Sequence, residues 1–126
     1  MNFGELSKCG IPLALAKEIL ASGVERIELR DNLTCEGLYF KLFRTIFLRR
    51  LFPEQLKVAA EILSRQNGID VSSEETYLFT LLHEWAHHKG LKDPEADVFA
   101  RKELCRRRGY DRRFTIRLNI GEVPCR

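Results

Sequence analysis

The 126-residue chain has little methionine, tryptophan or histidine: one Met (Met1), one Trp (Trp85) and three His. Its four cysteines (Cys9, Cys35, Cys105, Cys125) form no C-x-x-C pair, which argues against a zinc ribbon. Free thiols are the first expectation for them in a cytosolic protein. No segment reaches the ~18 uncharged apolar residues that a membrane helix needs. The most apolar stretch, residues 38–52, is interrupted by Lys41, Arg44, Arg49 and Arg50. The N-terminus lacks a basic start followed by an apolar run, so it does not read as a secretory signal. A cytoplasmic location and no membrane partner are the resulting expectations. Charge of one sign is also missing. With 21 Lys and Arg against 18 Asp and Glu, the net charge is only +3, too small to advertise a polyanionic partner through the global field. There are no repeats and no low-complexity stretches.

What remains is an ordinary globular composition, 44% hydrophobic and 31% charged, of a length that fits one domain over residues 1–126. Residues 11–23 predict a helix, with Pro12 in its first turn and Gly23 just past its end. Residues 24–30 alternate roughly between apolar and polar and predict a strand, followed by a turn at Asp31-Asn32. Residues 38–51 read as a Phe-rich helix, and Pro53 begins another that runs to about Gln66. Ser72 with Glu75 three residues later is a capping-box pattern. It opens a helix that extends to about Lys89, where Gly90 is placed to end it. Asp93 as N-cap and Pro94 at the first helical position open one more helix, which closes on Arg106-Arg107-Arg108-Gly109 and matches its dipole at both ends. Residues 114–120 alternate almost perfectly and predict a strand. The expected fold is α+β, a mainly helical single domain with a small sheet.

The chemistry concentrates in His83-Glu84-Trp85-Ala86-His87. Histidines four apart on a helix stand one turn above each other and can reach one metal ion. The Glu beside the first His is placed to take a proton from water at that metal. At about 100° per residue, His83, His87, Thr76, Thr80 and Glu84 fall on one arc. Leu78, Phe79, Leu81, Leu82, Trp85 and Ala86 fall on the opposite one. The hydrophobic face therefore excludes the metal face.

A catalytic zinc site needs three protein ligands and an open position. Asp93 and Glu95 are the two candidates for the third ligand, with Glu103 behind them on the stripe of Ala96, Phe99, Ala100 and Leu104. Each acid also has a plainer reading: Asp93 as a helix cap, Glu95 as a first-turn acid matched to the helix dipole.

Two spacings carry a resemblance. From His83 the chain reads H-E-x-x-H-x-x-G-x-x-D, similar to metzincin peptidases, although the methionine turn of that family is missing. Asp93-x-x-Ala96-Asp97-x-Phe99-Ala100 resembles the E-x-x-A-D-x-F helix of gluzincin peptidases, with an unusually short link after His87. Over about residues 72–104 the chain resembles the small zincins called minigluzincins. That resemblance implies Zn²⁺, peptide-bond hydrolysis, His83 and His87 as ligands, Glu84 as base and Asp97 orienting a histidine. It also implies a latent form obstructed by the C-terminal segment, here residues 121–126, whose Cys125 thiolate would suit zinc. His88 or Tyr110 could stabilise an oxyanion, and the strand at residues 24–30 could pair with an extended substrate. Two alternatives stand beside this reading. One is a non-catalytic zinc protein. The other is a nucleic-acid-binding regulator built on Arg106-Arg107-Arg108, Arg112-Arg113 and Arg117.

Overall fold

The computed structural model describes residues 3–108. Its elements are α1 (Phe3–Lys8), α2 (Leu13–Ala21), β1 (Arg26–Arg30), β2 (Gly37–Phe40), β3 (Thr45–Arg49), α3 (Pro53–Asn67), α4 (Thr76–His88) and α5 (Glu95–Arg107). Short 3-10 turns at Lys41–Phe43 and Ser73–Glu75 precede β3 and α4. The architecture is α+β: five helices around one three-stranded sheet among the described residues. The expected strand at residues 114–120 and the tail at 121–126 lie outside them.

The sheet runs β1-β3-β2, with β1 parallel to β3 and β2 antiparallel to it. This corrects the reading of residues 38–51 as a helix, because they form the β2–β3 hairpin. The sequence there is apolar or aromatic at nearly every position, so neither period stands out. Two non-local facts decide it. Ile46 and Leu48 are fully buried while Phe47 and Arg49 are less so, which is a period of two. Ile46 and Leu48 also pair in register with Ile27 and Leu29 of β1, which completes a face of branched residues.

That face packs into one core with Leu15, Ala16 and Ile19 of α2 and with the apolar arc of α4. All six residues predicted for that arc, Leu78, Phe79, Leu81, Leu82, Trp85 and Ala86, are buried. The indole N–H of Trp85 donates to Ser22 Oγ at 2.9 Å, tying α4 to the end of α2. α4 is therefore the central element, held on one side by the sheet and on the other by α5.

The predicted capping box forms: the Ser72 N–H donates to Glu75 Oε1 at 3.1 Å. At the far end of α5, Arg108 grips the same Glu75 carboxylate through Nε and a terminal nitrogen, both at 2.9 Å, and also donates to the Asp70 carbonyl. Burial pushes the Glu75 carboxyl up, but the Arg108 and Ser72 bonds outweigh it and the pKa falls below its usual 4.5. A depressed carboxyl stabilises the fold above its unfolded pKa, and that stability is lost as pH drops through the folded value. Glu75→Gln should therefore cost about 1–2 kcal/mol at pH 7 and much less in strong acid. Urea unfolding of both proteins at the two pH values measures the difference.

Candidate metal centre

The site begins where α4 ends. Gly90 has φ +92°, the left-handed conformation that favours glycine. It closes a Schellman turn, with Gly90 N–H donating to His87 O and Leu91 N–H to Ala86 O, both at 3.0 Å. The turn brings the Leu91 carbonyl back over the helix, where it accepts a 2.8 Å hydrogen bond from His87 Nδ1. A carbonyl only accepts, so Nδ1 carries the proton and the Nε2 lone pair is left free. A Cβ at position 90 would meet nothing within 4 Å, so Gly90→Ala carries the backbone cost alone. The expected loss is about 1 kcal/mol of stability, read as a lower unfolding midpoint.

α5 does the same for the other histidine. Asp97, in its first turn, accepts a 2.8 Å hydrogen bond from His83 Nδ1, as the resemblance implied. This fixes the tautomer and leaves the Nε2 lone pair of His83 facing inward. The two Nε2 atoms stand 3.1 Å apart. Asp93 Oδ1 lies 3.3 Å from His83 Nε2 and 3.1 Å from His87 Nε2.

Three electron-rich atoms thus face one another at 3.1–3.3 Å. Without a cation between them they repel. Protons on the ring nitrogens relieve this by pairing each histidine with Asp93, and a metal ion would meet all three atoms at once. With ligand bonds of about 2.0–2.2 Å, the edge of a tetrahedral coordination shell is roughly 3.3–3.6 Å, slightly longer than the observed triangle. Among the described residues His83, Glu84 and His87 form a cluster able to hold a metal ion.

Glu84 completes the group. It is buried at 6% exposure, beneath β2: a Cβ on Gly37 would stand 2.6 Å from Thr80 Cγ2 and 3.1 Å from Glu84 Cγ, so only glycine lets the strand approach this closely. The backbone N–H of Tyr39 donates to the Glu84 carboxylate. Burial raises the carboxyl pKa, and the charges of His83 and His87 together with the Tyr39 N–H only partly oppose it. The side chain of Asp93 is 78% exposed, so the cluster opens to solvent beside it. A buried carboxyl with a raised pKa, an open side and two oriented imidazoles can hold a metal, admit water and accept a proton from it.

The other predicted residues lie elsewhere. Glu95, the first residue of α5, is exposed and, like Asp93, stands outside the His83–Glu84–His87 cluster; unlike Asp93, it pairs with neither histidine among the described contacts. Glu103 bonds Arg106 and Arg107. Asp93 does not cap α5: Pro94 holds that position, with no side-chain cap. His88 is occupied by the Tyr39 hydroxyl at 2.7 Å and the Ser22 carbonyl at 3.0 Å, and it is outside the cluster. The strand packed across α4 at the site is β2 rather than β1. Arg106 pairs with Glu103, Arg107 with Glu18, and Arg108 with Glu75, so this basic run braces the fold. Tyr110, Arg112, Arg113, Arg117 and Cys125 lie outside the described residues. Among the described residues Cys9 and Cys35 are free thiols, as expected, whereas Cys105 is disulfide-bonded, which corrects that expectation. Sequence reading missed Gly37, Tyr39 and the Leu91 carbonyl. Only Gly37 leaves a trace, as a glycine leading into an aromatic run.

Asp97→Asn keeps the size and loses the charge that fixes the His83 tautomer. Metal affinity is expected to fall about 10–100-fold, measured by competition with a chromophoric chelator.

Comparison with known proteins found no matching family, curated protein or solved structure.

Proposed function

We propose that the chain is a zinc-dependent metallopeptidase of the zincin type. His83, His87 and Asp93 would hold the metal, and Glu84 would act as general base. The observation that carries this reading is the triangle of His83 Nε2, His87 Nε2 and Asp93 Oδ1, with the buried Glu84 carboxylate beside it. Two imidazoles and a carboxylate are a donor set suited to zinc. Zinc, when bound, supplies a Lewis acid for a carbonyl and lowers the pKa of water.

The protein's own groups do the rest. Asp97 and the Leu91 carbonyl hold the two rings so that both lone pairs converge. Glu84 takes a proton from water at the open side of the cluster and returns it to the leaving amine. The Tyr39 N–H and the close approach of Gly37 keep the Glu84 carboxylate in place while that proton is held. Thr80, one turn before Glu84, is buried against the same Gly37.

The test is hydrolysis of an unfolded protein substrate by zinc-loaded protein. Cleavage that a chelator abolishes and added zinc restores supports the proposal. Stoichiometric zinc without any cleavage, in the full chain and in a chain lacking residues 121–126, would instead make this a structural metal site.

A further inference from the structure

The sheet has a second face, turned away from α4, that no part of the peptidase proposal uses. Leu38 and Phe40 of β2 and Phe47 of β3 lie on it. They line a groove of about 570 Å³ with Leu29, Leu33 and Phe43. Beyond the groove, the turn joining β2 to β3 projects Leu42 and Phe43, which are 78% and 58% exposed. The turn is sharp: Arg44 adopts a left-handed φ of +48°, and Phe40 and Phe43 stack with centroids 5.2 Å apart. The apolar residues are therefore displayed on a fixed tip.

Cations outnumber acids around this surface. Residues 38–50 carry Lys41, Arg44, Arg49 and Arg50 and no acid. Arg44 is neutralised by Glu25, and Arg50 by Glu5 and Asp31. Lys41 and Arg49 make no ion pair among the described residues. β1 adds Arg26 and Arg30 at the groove, which share the carboxylate of Glu28, and Asp31, the partner of Arg50, also lines it. An exposed Leu and Phe on a convex tip, continuous with an aromatic groove and flanked by Lys41 and Arg49, suit a surface that is apolar inside and anionic outside. A lipid headgroup layer has that profile and requires no matching shape, whereas a folded partner needs a complementary contour.

We infer that the β2–β3 hairpin docks the protein on anionic membrane surfaces, with Leu42 and Phe43 entering the headgroup region and Lys41, Arg49, Arg26 and Arg30 facing the lipid charges. This is contact with a surface and requires no spanning helix; among the described residues none is long and apolar enough to span. The inference does not depend on the metal or on hydrolysis.

Co-sedimentation of the full chain with vesicles of phosphatidylcholine alone, and of phosphatidylcholine mixed with phosphatidylserine, tests it. The expected result is binding to the mixed vesicles that weakens as salt is raised. It should fall at least about tenfold in the double variant Leu42→Ser, Phe43→Ser and fall again in Lys41→Glu. Both sites are exposed, so thermal unfolding of the variants should match wild type and separate lost docking from lost folding. Absence of vesicle binding, or binding that the hairpin variants leave unchanged, overturns the inference. A dimer that the same variants dissociate, with no vesicle binding, also overturns it and makes the tip a contact between copies.

Discussion

Glu84→Gln is expected to retain a full complement of metal and to lose about 10²–10⁴-fold in peptide hydrolysis. That range is the usual contribution of a positioned general base. The substitution is nearly isosteric, which matters here because Glu84 is 6% exposed and wedged against β2. An amide oxygen can still accept the Tyr39 N–H, so the strand stays in place. The amide cannot take a proton near neutral pH. Metal retained with activity gone separates the proton step from binding. Full activity in the variant would remove Glu84 from the chemistry, even though its raised pKa suits the task.

His83→Ala is expected to lose the metal outright. One corner of the ligand triangle disappears, and Asp97 loses the ring it orients. The loss should exceed the 10–100-fold expected when only an orienting group is changed. Asp93→Ala and Glu95→Ala form the informative pair. Asp93 Oδ1 stands 3.1 and 3.3 Å from the two Nε2 atoms, so its removal should weaken binding sharply. Glu95→Ala should leave affinity near wild type. The reverse order would move the third ligand to Glu95 and require the start of α5 to rearrange around the metal.

Much of this site was legible in the sequence because it depends on short-range spacing. Two histidines one turn apart, a capping box at Ser72 and a stop at Gly90 fix the helix and its faces without help from distant residues. The role of Asp97 came from the resemblance of the run from Asp93 to Ala100 to the gluzincin helix. The choice between Asp93 and Glu95 was not legible. Both acids flank Pro94, and what separates them is the path the chain takes after the Gly90 turn. The hairpin at residues 38–51 was misread for a related reason: its strand character comes from pairing with β1, more than a dozen residues away. The partner that steadies Glu84 was invisible because it is a backbone N–H, which every residue but proline possesses.

The most direct test of the site is the metal content of the wild-type chain. The protein would be purified at neutral pH, supplied with zinc, dialysed and measured by inductively coupled plasma mass spectrometry. The triangle of His83, His87 and Asp93 predicts one zinc ion per chain. A chain that emerges without zinc would contradict the account, leaving two histidines and an aspartate that merely share a proton at the end of α4.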